Sequence, residues 1–471
     1  MRLLRIFILG CGTLLAADLT DQYKSTADKL IDAALADRDG YAKLAYLCDH
    51  IGARLSGMAS LDRAIQWSEE TMKADGLSNV RVIPVKVPKW VRGAESAQLL
   101  APETKPLHML GLGMSVGTPP GGITAEVVVV DDFDQLDKLG AAGVRGKIVL
   151  YNERWVNYGA TGQYRRAGPS RAAALGAVAV LLRSVTPLAM QIPHTGTLDY
   201  DEAQPKVPAA ALSVEDALML GRFAAQKLPI RIHLEMAAHM EPDADSGDVM
   251  GEIPGREHPE EVVVLGGHID SWDVGRGAQD DGSGIIASLQ AVALIKKLGL
   301  VPRRTIRVVF WVNEENGGRG GEAYRAWLGD AVKNHVAAIE MDGGAEAPAG
   351  FGYGAGGFAG ISRRGRGAAA PSSAGAEHSM AMLKQVGKLL DRIHAGDVSP
   401  GGGGSDIGPL MLAGVPGLGE RSIGTHYFDW HHTETDTLDK VDPEDFRKSV
   451  AALAVMSYVL ADMPEKLTGG I

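Results

Sequence analysis

Cysteine is almost missing from this chain: Cys11 and Cys48 are the only two in 471 residues. A scaffold stapled by several disulfides is therefore excluded, and so is a metal site built on thiolates. Positive charge is also in deficit, with 47 Lys and Arg against 58 Asp and Glu and a formal net charge of -11. That balance argues against nucleic acid or anionic lipid as a general partner and leaves small molecules and neutral peptides. Charged residues make up 22% and hydrophobic residues 45%, the composition of a folded globular chain whose length suggests two or three domains.

The N-terminal apolar stretch, Ile6 to Ala17, is too short for a membrane span. It follows Arg2 and Arg5 and has the layout of a secretory signal peptide over residues 1–17, which places the mature chain outside the cytoplasm, secreted or periplasmic. Ile8-Leu9-Gly10-Cys11 carries the lesser alternative, a lipoprotein anchor at Cys11, and a core helix at the N-terminus is a further competing reading. Processing after Ala17 leaves Cys48 alone in the apolar context AKLAYLCDHIG, where it reads as a packing residue.

Residues 18–119 open with helical spacing, then alternate like a strand in VRVIPVKVPKW, residues 80 to 90. Over residues 120–230 short buried strands (AEVVVV, GKIVLY, AVAVLL, VPAAAL) and two helices follow without any clustered His, Asp or Glu, which reads as an inserted lid or recognition domain. From 231 to 471 strands and helices alternate, predicting an α/β fold: a mostly parallel mixed sheet sandwiched by helices. Active sites of such folds lie outside the carboxyl ends of the strands. Gly401 to Gly404 reads as a mobile loop near that cleft.

The chemistry concentrates in GGHIDSWDVGRGAQDDGSG, residues 266–284, where a histidine ends a buried strand and four aspartates follow. Glu314 and Glu315 follow the next strand, IRVVFWVN, and Asp342 follows VAAIEM. Carboxylates packed together without counter-charge would protonate or repel, whereas a divalent cation stabilises them as ligands. Oxygen and imidazole donors suit zinc, with manganese or cobalt also possible, and a further ligand is expected from WHHTETDT, residues 430–437.

Together with NEENGG, EMDGG and HHTETDT, that run resembles the cocatalytic dinuclear zinc aminopeptidase and carboxypeptidase family. The resemblance implies the zinc exopeptidase fold, and it makes residues 120–230 similar to a protease-associated α+β domain. It implies two zinc ions bridged by Asp280, with His268 and Asp342 completing one site and Glu315 and His432 the other. Asp270 matches the outer carboxylate that orients the histidine, and Glu314 matches the general base. His431 stands where many of that family have tyrosine, with an oxyanion-stabilising role implied. Asp281 is read as a turn neighbour, Asp273 as a solvated loop residue, and His194 and His378 as ordinary histidines. Arg363, Arg364 and Arg366 are a candidate contact for a substrate carboxylate.

The expected function is hydrolysis of dipeptides or short peptides, with aminopeptidase, carboxypeptidase and dipeptidase action all open. The alternatives are a non-catalytic binding module of the same fold, which should lack ligands that this chain retains, and a glutaminyl cyclase-like enzyme, which keeps one zinc. A homodimer is implied by the resemblance, with the last helix and the inserted domain as its contact surfaces. Intact-mass measurement of the exported protein is expected to show loss of residues 1–17; a diacylated Cys11 terminus would instead identify a lipoprotein.

Overall fold

The computed structural model describes residues 18–354 and 374–468. The proposed signal, Cys11, and the arginines at 363, 364 and 366 lie outside the described residues. Two eight-stranded sheets organise the described residues. The first runs Ser78–Val91, His239–Ile253, Arg304–Trp311, His258–His268, His335–Glu340, Gly417–Ser422, Pro348–Tyr353, Asp397–Pro400. Its four central strands, from Arg304–Trp311 to Gly417–Ser422, are mutually parallel, and antiparallel pairs flank them on both sides. Pro84 and Pro88 fall in the outermost strand, where a missing backbone donor is tolerated.

All eight residues of Arg304–Trp311 and all six of His335–Glu340 are buried, as expected for strands covered on both faces. Alternate side chains feed different cores. Val263, Leu265, Ile306, Val308 and Phe310 pack against the helices Leu19–Ala36, Ser283–Lys297 and Pro443–Asp462. Val262, Val264, Val309 and Trp311 face Tyr324 and Leu328 of the helix Arg319–Leu328, with Ile407 and Leu410 nearby. The last helix starts cleanly because Asp442 accepts from the amides of Glu444 and Asp445 and Pro443 occupies the first turn. It is buried from Ser449 to Ala461, so its surface is spent within the chain rather than offered as the dimer contact expected from sequence.

The second sheet runs Lys105–Leu107, Glu95–Ala101, Arg231–Met236, Ile123–Val130, Ile148–Tyr151, Ala179–Arg183, Ala209–Leu212, Met109–Gly111. It has cores of its own on both faces. The boundaries expected at 120 and 230 cut through this sheet, which takes strands from Glu95 to Met236. Three short strands before residue 120 and one after 230 join it by antiparallel pairing, and such partners are chosen by register rather than by any local signal. Among the described residues no helix is long and apolar enough to cross a membrane.

Glycines mark close approaches. A Cβ on Gly402 would lie 2.1 Å from the Gly352 carbonyl oxygen, so the run at 401–404 is required by packing, a reason different from the mobility read from sequence. A Cβ on Gly266 would lie 1.8 Å from the Val309 carbonyl oxygen in the adjoining parallel strand. Gly266→Ala is expected to destabilise the protein by about 1–3 kcal/mol through forced strand displacement, read as a lower thermal midpoint; an unchanged midpoint would refute that packing.

Candidate metal centre

The carboxyl ends of the central strands deliver the predicted side chains to one rim. His268 ends its strand, Glu314 and Glu315 follow Arg304–Trp311, and Asp342 follows His335–Glu340. Asp280 sits in the short turn Ala278–Gly282 that leads into the helix Ser283–Lys297, and His431 and His432 follow the helix Tyr427–Trp430. His268 Nε2 lies 3.1 Å from Asp280 Oδ1 and 3.4 Å from Asp342 Oδ1. On the other side of Asp280, Oδ2 is 3.3 Å from His432 Nε2, which is 3.1 Å from Glu315 Oε2. His431 Nε2 is also 3.4 Å from Asp280 Oδ2, its ring stacked on that of His432 with centroids 3.5 Å apart.

Three overlapping sets of ligand atoms therefore form: His268 with Asp280 and Glu315, His268 with Asp281 and Asp342, and Asp280 with His431 and His432. Asp280 Oδ2, Glu315 Oε1 and Asp342 Oδ1 are buried without a hydrogen-bond donor. Buried acceptors without donors are costly, and an array of them facing imidazole nitrogens suits a divalent cation. Burial, joined by the Asp280 charge, pushes Glu315 up to about 8, and burial lifts Asp342 to about 6. Burial alone would depress His268, but the facing carboxylates of Asp280 and Asp342 hold it well above its ordinary value. In the absence of cations, this rim retains protons that a metal would displace.

The profile of peptidase family M28 matches residues 248–457. Carboxypeptidase Q of Homo sapiens is 42% identical over 432 residues, covering 92% of this chain and 87% of the relative. Carboxypeptidase Q of Xenopus laevis is 42% identical over 448 residues, covering 94% and 91%. The chain belongs to peptidase family M28. A crystal structure of a peptidase M28 precursor from Shewanella amazonensis SB2B is similar at a TM-score of 0.88 and 30% identity, covering 95% of this chain and 98% of that one. The zinc aminopeptidase of Bacillus subtilis shares the fold at a TM-score of 0.66 and 18% identity. This M28 chain is a zinc metallopeptidase, and the donor set at its rim fits that metal.

Several supports of the M28 rim were not foreseen from sequence. Arg54 is fully buried and donates to the carbonyls of Ile269, Gly52, Arg276 and Gly277, fastening both ends of the loop that holds Asp270 and Asp273. Asp436 accepts from the amides of Ala278, Gln279 and Asp280. Both belong to loops remote in sequence from what they hold, and only the acidic residue four positions after His432 gave any signal.

Asp270 acts differently from the expected outer carboxylate. Its backbone carbonyl lies 3.0 Å from His268 Nδ1, its own Oδ1 is 3.8 Å away, and the carboxylate accepts from the amides of Glu314 and Glu315. Asp281 is more than a turn neighbour, since its oxygens accept from the amides of His268 and Gly284. Asp273 is not solvated: Arg92 pairs with both its oxygens, at 2.6 and 2.8 Å. Cys48 and His194 are buried, and His378 is an exposed partner of Glu465.

Acids raised in the fold bind more protons there than in the unfolded chain. Their contribution to stability is present below about pH 4 and is lost as pH rises through the values near 6 and 8. After chelation, the thermal midpoint is expected to fall between pH 5 and pH 8 relative to the zinc-loaded protein, and zinc uptake at pH 7 to release protons into weakly buffered solution. Equal pH profiles with and without zinc would contradict this account.

Proposed function

We propose that the chain is an exported exopeptidase that binds two zinc ions and hydrolyses dipeptides or short peptides, with Glu314 as the general base. The observation that carries this reading is Asp280, whose two oxygens face His268 and His432 at 3.1 and 3.3 Å, as a bridging carboxylate requires. His268 and Asp342 would hold one ion and Glu315 and His432 the other. Manganese or cobalt would fit the same donors. Bound ions would polarise the scissile carbonyl and lower the pKa of the attacking water.

The chain's own residues divide the remaining work. Glu314 belongs to none of the three ligand sets, while its backbone is pinned by Asp270 beside Glu315. That placement suits a carboxylate that accepts a proton from the nucleophilic water and delivers it to the leaving amine. Burial holds His431 well below the ordinary histidine value, which favours the neutral ring with one N–H to offer a developing oxyanion. The specific alternative is that His431 ligates instead; the 3.1 Å approach of His432 to Glu315 favours His432.

A non-catalytic module is disfavoured because all six of His268, Asp280, Glu314, Glu315, Asp342 and His432 are present. The relatives named carboxypeptidase Q favour carboxypeptidase or dipeptidase action over aminopeptidase action. The second sheet is read as a protease-associated domain, and a homodimer through it is part of the same proposal. Glu314→Ala is expected to retain about two zinc ions by elemental analysis and to lose roughly 10² to 10⁴ in turnover of free dipeptides. Full turnover in this variant would remove Glu314 from the role.

A further inference from the structure

The two proposed ion sites each contain one histidine, and the two rings are mounted differently. An imidazole that gives Nε2 to a metal keeps its proton on Nδ1, where an acceptor fixes the tautomer and the plane of the ring. For His268 that acceptor is local: the Asp270 carbonyl, two residues on, lies 3.0 Å from Nδ1. For His432 it is the Thr195 carbonyl, 3.4 Å from Nδ1 and 237 positions away, between the strands Ala179–Arg183 and Ala209–Leu212 of the second sheet. Thr195 also donates its backbone N–H to the His432 carbonyl at 3.0 Å, so the two residues are joined twice. His432 has a φ of +62°, a left-handed backbone that few side chains adopt and that its surroundings must hold. Thr186, from the same connection, donates its hydroxyl to the Phe428 carbonyl at 2.8 Å. The segment that carries His431 and His432 is therefore gripped at both ends by the second sheet.

Thr195 is itself aimed by that sheet. It is fully buried, and its Oγ1 donates to the Gly111 carbonyl at 2.8 Å, in the edge strand Met109–Gly111. Its own carbonyl oxygen has two lone pairs, of which one accepts from Arg165 Nη1 at 3.2 Å and the other is left for His432. The next residue, Gly196, has a φ of +133°, and a Cβ there would lie 2.2 Å from Arg165 Nη1, so the chain passes the guanidinium with no room for a side chain. The Gly196 carbonyl then accepts from the amide of Gly113, which continues the edge strand. Strand, hydroxyl and guanidinium together fix where the Thr195 carbonyl points. The ring of His268 needs none of them.

We propose that Thr195 is a positioning residue: its carbonyl keeps the proton of His432 on Nδ1, leaves Nε2 for zinc, and makes one of the two ion sites depend on the second sheet. This rests on the two-ion reading and adds which ion is held jointly by both sheets. The site of His268 and Asp342 is complete within the first sheet, whereas that of Glu315 and His432 is complete only while the second sheet is docked.

The first measurement needs no change at Thr195. In nitrogen-15 correlation spectra of the histidine-labelled, zinc-loaded full chain, with His432 assigned by the signal missing from His432→Gln, the Nδ1–H form is expected at His432. An Nε2–H form there overturns the proposal. The second measurement is chelator competition read by elemental analysis. Where the chelator leaves wild type with about two ions, Thr195→Val, which keeps the shape and loses the hydroxyl, is expected to keep about one, the lost ion being bound on the order of 10- to 100-fold less tightly. Thr195→Ser restores the hydroxyl and should bring that ion back. Retention of both ions in Thr195→Val overturns the proposal, and so does loss of both, since a general loosening would spare neither site. A wild type that never holds more than one ion defeats the two-ion reading instead, and the tautomer of His432 then decides the role of Thr195 by itself.

Discussion

Like charges buried at one rim are the constraint on which the structure turns. Asp280, Glu315 and Asp342 are at most one-tenth exposed, and each leaves an oxygen without a hydrogen-bond donor. Around them Asp270, Glu340 and Asp436 are buried as well, raised by burial to about 6, 8 and 7 respectively. An ordinary core would have eliminated such a concentration of acids, because each ionised carboxylate taken from water needs compensation. Zinc supplies it in a metallopeptidase. The surrounding architecture is what keeps the acids together until the metal arrives.

That architecture works by spending backbone rather than side-chain charge. Arg54 and Asp436 satisfy carbonyls and amides of the loop between His268 and the helix Ser283–Lys297, and Asp270 does the same for the two glutamates. The loop carrying Asp280 and the pair Glu314 and Glu315 are thereby held through their backbone by buried groups. The second sheet takes part in this support. Arg92, at its junction with the first, pairs with Asp273, and Thr195 receives His432. The aromatic contacts of Tyr158 with Phe428 and His431 join the two layers directly over the rim. A rearrangement of the second sheet would therefore disturb His432 before the other residues proposed as ligands.

Legibility followed the range of the interactions. The central strands were readable because a strand buried on both faces carries a continuous apolar run, and Val262–Leu265 and Val308–Trp311 show it. The ligand types were readable because they sit where those strands stop. By contrast, the half-exposed Glu95–Ala101 and the three-residue Met109–Gly111 carry no local sign of which sheet they join. Asp273 looked like any loop acid because its partner Arg92 is 181 positions away. The glycines at 402 and 404 looked like slack because the Gly352 backbone and the Glu340 carboxyl that crowd them come from other strands.

Local pattern by itself determined the order of strands and helices, the acid and imidazole character of the site, and the strand ends on which His268, Glu315 and Asp342 are carried. Those features are written in residues close together in the chain: alternation, caps and the abrupt end of an apolar run. Tertiary structure alone decided that Asp280 turns one oxygen to His268 and the other to His432, and that Asp270 meets His268 through its carbonyl. The Thr195 carbonyl meets His432 across 237 positions. Contacts of that separation follow from how two sheets pack, and neighbouring residues carry no trace of them.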